Sequence, residues 1–358
     1  MTETETVLVA DVGGTWIRFA LARVSPGAAP TLGSQRRLAV QDHASLIAAA
    51  RCYLQCLDSS QTPPDRAVLA VAGRVDGHRA IMTNHPWNID AVECSQALAM
   101  RQVQLINDFA AQALAVPHLG EGDRVALCGS VSVRLGPPAQ TYVILGPGTG
   151  LGVSALLSRS GQHFALESEG GHAAFAPKTD RQRAILDVLG ARFQRVSYER
   201  LLSGAGLSNL HWAVARRAGI ADALPIQPED VTERARAGDP LANEAIELFC
   251  EVLGAFAGDL VLTFGGWDGV FLSGGLVPVL LDQLQGEKFR RAFEDKGRFS
   301  TQIAHVPVFA VTHPQAGLLG AAASARQPAL ATVPVGPVRG GSQPDGQPAD
   351  PDSRLRAT

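Results

Sequence analysis

Apolar positions along the chain fall into short runs separated by glycine, proline and polar clusters. The runs TVLVAD (6–11), WIRFALARV (16–24), RAVLAVAG (66–73), QVQLIND (102–108), TYVILG (141–146), GVFLSGG (269–275) and VPVFAVT (306–312) are rich in β-branched and aromatic residues. They read as strands. Between them, HASLIAAARCYLQCL (43–57), FAAQALAV (109–116) and the stretch from Ala245 to Phe264 carry helical patterning. A mixed α/β architecture is expected.

Three of the strand-like runs end in glycine. The first, DVGGT (11–15), leads into a second alternating run and not into a helix, so it reads as a hairpin turn. That reading excludes P-loop and Rossmann sites, in which the glycine loop opens a helix, and no GxxxxGK run followed by Ser or Thr occurs. The second, YVILGPGTGLGVSALL (142–157), repeats the strand, glycine loop, strand pattern. Its weak match to a dinucleotide motif fails for the same reason. The third, GVFLSGGLVPVLLDQL (269–284), runs from a strand through Ser273-Gly274-Gly275 into an apolar helix with Pro278 near its start. One such loop alone is more often a plain tight turn. Three together suit phosphate binding: glycine lets backbone amides approach oxygens, the hydroxyls of Thr15 and Thr149 add donors, and Asp11 is placed to hold magnesium directly or through water.

Polar residues cluster beyond these loops. Asn107 and Asp108 stand between a strand and a helix, where either a helix N-cap or a reacting carboxylate at a strand's carboxyl end is expected. ESEGGHAAFAP (167–177) presents Glu169 and His172. A zinc-binding ExxH pair needs a helix, which the intervening Gly-Gly disfavours. A carboxylate and an imidazole side by side suit a ligand with several hydroxyls. Glu199, in SYERLLSGAGL (197–207), reads by pattern alone as a solvated helix residue.

Composition narrows the field. With 358 residues, 46% hydrophobic and 18% charged, the chain can bury a sizeable core. Its formal net charge of -3 and the lack of a Lys/Arg run argue against a nucleic-acid partner. The start MTETET has no basic or apolar targeting pattern, and Glu247, Glu251 and Asp259 make the Ala245 to Phe264 stretch a buried helix and not a membrane span. Five scattered cysteines, Cys52, Cys56, Cys94, Cys128 and Cys250, read as reduced core thiols of a cytoplasmic protein. Residues 327–358 hold six of the 22 prolines and are expected to be a disordered tail.

Taken together, ADVGGT, MTNHPW, INDFAA, GPGTGLGV, EGGH, ERLLSGAGL, SGGLVP and FEDKGRF, in this order over about residues 5–326, resemble the bacterial glucokinase family of the hexokinase, actin and Hsp70 ATPase superfamily. The resemblance implies a two-domain, actin-like ATPase (ribonuclease H-like) α/β fold with a cleft between the domains. One domain would comprise residues 1–118 plus 313–326 and the other 119–312. It implies an ATP- and Mg2+-dependent glucokinase that phosphorylates the 6-hydroxyl of glucose, with Asp108 as general base. Asn107, Asp108, Glu169, His172 and Glu199 match the sugar ligands, and the thirty-residue spacing from Glu169 to Glu199 is kept. Ala10, Asp11, Val12, Gly13, Gly14 and Thr15 match the first phosphate loop, Gly148, Thr149 and Gly150 the second, and Gly274 and Gly275 the segment under the adenosine. A homodimer is the expected assembly. Trp16 replaces a small polar residue, and Glu167-Ser168 a more usual Pro-Gly. Neither the zinc cysteine cluster of the ROK kinases nor a preceding helix-turn-helix is present. A catalytically silent sugar sensor on the same fold is the alternative from another class.

Overall fold

A computed structural model describes residues 4–58, 61–82, 85–129 and 139–326. The tail expected at 327–358, and Thr83 and Asn84 of the MTNHPW run, lie outside the described residues. The first part of the chain forms strands β1 (Glu5–Val12), β2 (Trp16–Val24), β3 (Thr31–Ala39), β4 (Arg66–Val71), β5 (Gly73–Asp76), β6 (Arg79–Met82), β7 (Asn88–Asp90) and β8 (Gln102–Asn107). Its helices are α1 (Leu46–Gln55), α2 (Ala91–Ala97) and α3 (Asp108–Ala115). The remainder supplies β9 (Arg124–Cys128), β10 (Gln140–Pro147), β11 (Leu151–Arg159), β12 (Gln162–Ser168), β13 (Gly269–Leu272) and β14 (Val308–Val311). Helices there are α4 (Asp180–Phe193), α5 (Gly204–Arg217), α6 (Pro228–Arg236), α7 (Pro240–Phe264), α8 (Leu276–Val279), α9 (Leu281–Leu284), α10 (Glu287–Glu294), α11 (Ser300–Ile303) and α12 (Ala316–Ser324).

Two large sheets share one winding. The first has the order β3-β2-β1-β4-β8 and the second β12-β11-β10-β13-β14-β9. In each, three antiparallel strands are followed by two parallel ones, the first pairing with the first strand of the three and the second with its own predecessor. β9 extends the second sheet antiparallel to β14, and β5, β6 and β7 form a small separate sheet.

Alternation along the central strands explains the layering. Leu8, Ala10 and Val12 of β1 enter the cluster shared with α1, whereas Val7 and Val9 face the α12 residues Leu318, Ala321 and Ala322. In β10, Val143 and Leu145 join the large core with α5 and α7, whereas Tyr142 and Ile144 face α3. A stretch of strand buried on both faces is apolar at successive positions, as Val7–Ala10 of β1 and Tyr142–Leu145 of β10 are. Helix α3 touches both sheets, with Ala111 packed on the first and Ala110, Ala113 and Leu114 on the second. This places α3 at the junction where the site forms.

The expected strands and the DVGGT hairpin are present. The Ala245 to Phe264 helix begins earlier, at Pro240, because the Asp239 carboxylate accepts from the Leu241 and Ala242 N–H groups and proline suits the first helical turn. The apolar helix expected after Gly275 is two short pieces, α8 and α9. Among the described residues, no helix is long and apolar enough to cross a membrane. All five cysteines are unpaired, but only Cys94 and Cys250 are buried; Cys56 is exposed, so the core-thiol reading fails there.

Candidate active site

A cavity of about 280 Å³ opens between the carboxyl ends of the two sheets, where α/β folds place ligands. The turn after β1 gives Gly13 and Gly14, the β8–α3 junction gives Asn107 and Asp108, and the β10–β11 turn gives Gly148, Thr149 and Gly150. Glu169 and His172 line it from the loop after β12, Glu199 from the turn between α4 and α5, and Gly274 and Gly275 from the loop after β13. Residues far apart in sequence are thus brought to one wall.

The hydrogen bonds of the junction before α3 assign the cap. Asn107 is the N-cap: its Oδ1 accepts from Phe109 N at 2.9 Å and Ala110 N at 3.1 Å. Its Nδ2 donates to Gly73 O at 3.0 Å, and its own N–H donates to Glu167 Oε1 at 3.2 Å. With the cap supplied, Asp108 stands in the first turn, its Oδ1 accepting from Phe109 N at 3.0 Å. Burial pushes its carboxyl up to about 7, the nearby Asp11 carboxylate adds to the rise, the backbone amides oppose it, and Glu169 raises it further. Burial likewise raises Glu167, which the Asn107 amide counters and Glu169 reinforces.

Two of the glycines have a packing role. Gly146 and Gly152 face each other across β10 and β11, and a Cβ on them would fall 2.4 Å and 1.8 Å from the Phe109 ring. The bare backbones form a slot for that ring and so pin the start of α3 to the second sheet. Gly274 is fixed by conformation: its φ is 99°, and a Cβ would lie 2.5 Å from Pro147 O. Gly148 O accepts from Gly204 N at 2.8 Å, joining the second glycine loop to the start of α5.

His172 lies between two carboxylates, with Nδ1 3.8 Å from Glu199 Oε1 and Nε2 3.8 Å from Glu169 Oε2. The other Glu199 oxygen accepts from Leu151 N at 3.0 Å, which orients it and overturns its reading as a solvated helix residue. These three groups form a rim of hydrogen-bonding side chains on the cavity.

Other expected site residues lie elsewhere. Ala10 and Val12 belong to the core beneath the first sheet, and Asp11 and Thr15 flank the cavity without lining it. Trp16 stacks under the Arg37 guanidinium, 3.7 Å from its ring centroid, and stays outside the cavity. Sequence reasoning missed Arg18, which lines the cavity and donates to Asp11 Oδ2 at 3.1 Å. A signal existed, because a hairpin closed by Val12 and Ile17 puts Arg18 directly across from Asp11. Burial still holds the Asp11 carboxyl above its usual value, against the pull of Arg18. It also missed Gln112, whose Oε1 accepts from Ser273 Oγ at 3.1 Å across the cleft.

The model of the family described as Glucokinase matches residues 8–328. The chain belongs to the glucokinase family. A glucokinase of Xanthomonas euvesicatoria pv. vesicatoria is 51% identical over 321 residues, 89% of this chain and 94% of that protein. Among solved structures, a glucokinase from an Antarctic psychrotroph is 33% identical with a TM-score of 0.79, covering 90% of this chain and 99% of that one. The glucokinase of Balamuthia mandrillaris in complex with glucose shares the fold at 24% identity and a TM-score of 0.73, covering 90% and 94%. The fold is the two-domain actin-like ATPase fold, and the activity of this family member is ATP-dependent phosphorylation of glucose.

Proposed function

We propose that Asp108 is the general base that accepts the proton of the sugar's 6-hydroxyl as that oxygen attacks the γ-phosphoryl group of ATP. The observation that carries this is a half-buried carboxyl, raised to about 7 chiefly by desolvation, standing between the sugar-facing rim and the glycine loops. A base poised near neutrality is ionised enough to act and basic enough to take a proton. Glu169, His172 and Glu199 would hold the other hydroxyls, and Asn107, with one Nδ2 hydrogen still free of protein partners, would donate to one more. Gly13, Gly14, Gly148, Thr149, Gly150, Gly274 and Gly275 would bring amides to the phosphates, and the Arg18 guanidinium would add positive charge there.

The donor set fits one magnesium ion. Asp11 is a half-buried carboxylate that Arg18 only partly compensates, so a further cation beside it would lower the cost of its charge. Asp11 would hold Mg2+ directly or through water, and the ion when bound neutralises phosphate charge. Residues 1–118 with 313–326, and 119–312, would be the two bodies that flank the sugar; α12 lies against β1 and α3 in support. The resemblance alone suggests a homodimer, and five unpaired cysteines accord with a cytoplasmic location.

The test is Asp108→Asn. Asn107 supplies the cap, so the helix start is kept, while Asn cannot take a proton at neutral pH. Removal of a general base is typically worth about 10²- to 10⁴-fold, so kcat falls by that order and glucose affinity measured by calorimetry is retained. Turnover within about threefold of wild type would refute the base role.

A further inference from the structure

β8 is the edge strand of the first sheet, and the N–H of its last residue, the buried Asn107, finds its acceptor in a side chain of the other sheet: Glu167 Oε1, at 3.2 Å. Glu167 lies on β12, two residues before Glu169, and Asn107 immediately precedes Asp108. We infer that Glu167 is a positioning residue for phosphoryl transfer, holding the junction that carries Asp108 in register with the strand end that carries Glu169. This rests on the reading of Asp108 as base.

Three observations converge on it. Asn107 Oδ1 serves the first turn of α3 and Nδ2 donates to Gly73 O, so among the described residues the Glu167 contact is the polar bond that ties this residue to the second sheet. The Phe109 ring in its glycine slot holds the next part of α3 to the same sheet, so the residue between the two anchors, Asp108, has little room to drift. Beyond Glu167, Ser168 Oγ accepts from Gly170 N at 2.9 Å, which sets the turn that presents Glu169 and His172. The Glu167-Ser168 pair therefore does with side-chain acceptors what a rigid Pro-Gly turn would do with backbone stiffness. Glu167 itself does not line the cavity, so its effect passes through the position of Asp108. A buried N–H left without an acceptor is costly, and small displacements of a catalytic group lower the rate steeply.

The experiment compares Glu167→Ala and Glu167→Gln with wild type in steady-state kinetics and thermal melting, with Asp108→Asn alongside. Gln keeps the accepting oxygen without the charge. Expected is a loss in kcat of about 10- to 100-fold for Glu167→Ala, with KM for Mg-ATP within about twofold, and recovery to within about threefold of wild type for Glu167→Gln. Unchanged kcat in Glu167→Ala, or equal losses in both variants, would overturn the inference while a crippled Asp108→Asn leaves the base reading standing. An active Asp108→Asn would overturn both. Should Glu167→Ala melt below the assay temperature, the Gln variant decides alone, and a tenfold loss in it refutes the positioning role.

Discussion

Replacing Asp108 by Asn should stabilise the protein, and the gain should depend on pH in a defined way. The Asp108 carboxyl is moved from 3.8 to about 7 on folding, chiefly by burial. Each tenfold change in an ionisation equilibrium is about 1.4 kcal/mol, so holding the ionised form in the native state costs up to about 4 kcal/mol. The sign follows from the direction: a carboxyl raised on folding leaves stability intact below its unfolded value, and that stability is lost progressively as pH rises towards the folded value. Asn has the shape of the neutral acid and no charge to bury. The variant should therefore exceed wild type by about 4 kcal/mol near pH 8 and by about half of that near pH 5.5. Urea unfolding at the two pH values measures both differences. Equal stability of the two proteins near pH 8, or a gain that is the same at both pH values, would refute the claim that the ionised Asp108 carboxylate is held in the native state at a cost.

Two further outcomes test neighbouring parts of the site. Glu169→Gln should raise KM for glucose by about tenfold or more while KM for ATP stays within about twofold, read from initial rates with each substrate varied; equal effects on both would remove Glu169 from the sugar side. Gly152→Ala should put a methyl into the Phe109 ring, displace the start of α3, and lower both melting temperature and kcat, with a stability loss of about 1–3 kcal/mol as for other overpacked sites. Wild-type kcat in that variant would show that the Phe109 slot does not position Asp108.

The central strands and the turns between them were readable because their chemistry is local. β1 and β10 each carry an unbroken apolar run, Val7–Ala10 and Tyr142–Leu145, with glycines close behind it, which is enough to specify a buried strand and a tight turn. β3 was hidden because TLGSQRRLA lies at a sheet edge with most positions exposed or half-buried, so no alternation marks it. The short strands β5, β6 and β7 carry three or four residues each, too few for a period. At the site, Glu169, His172 and Glu199 were matched by resemblance, and the structure brings them together. The cap at Asn107 or Asp108 is not legible in the sequence, because both residue types cap well and only the hydrogen bonds of the junction assign it to Asn107. Glu167 was invisible as a partner, since its acceptor role depends on a contact sixty residues away. Gly146 and Gly152 were read with the phosphate loop, and their packing role appears only once the Phe109 ring is seen lying on them.

The pH dependence of kcat/KM for glucose, measured in wild type and Asp108→Asn, tests the account most directly. Wild type should show an acid limb with an apparent midpoint near the value of about 7 to which the Asp108 carboxyl is raised, since the ionised form is the active base. The variant should lack that limb and lie about 10²- to 10⁴-fold lower on the plateau. A wild-type profile flat down to about pH 5, or a variant that retains the same limb, would contradict the assignment of Asp108 as the base.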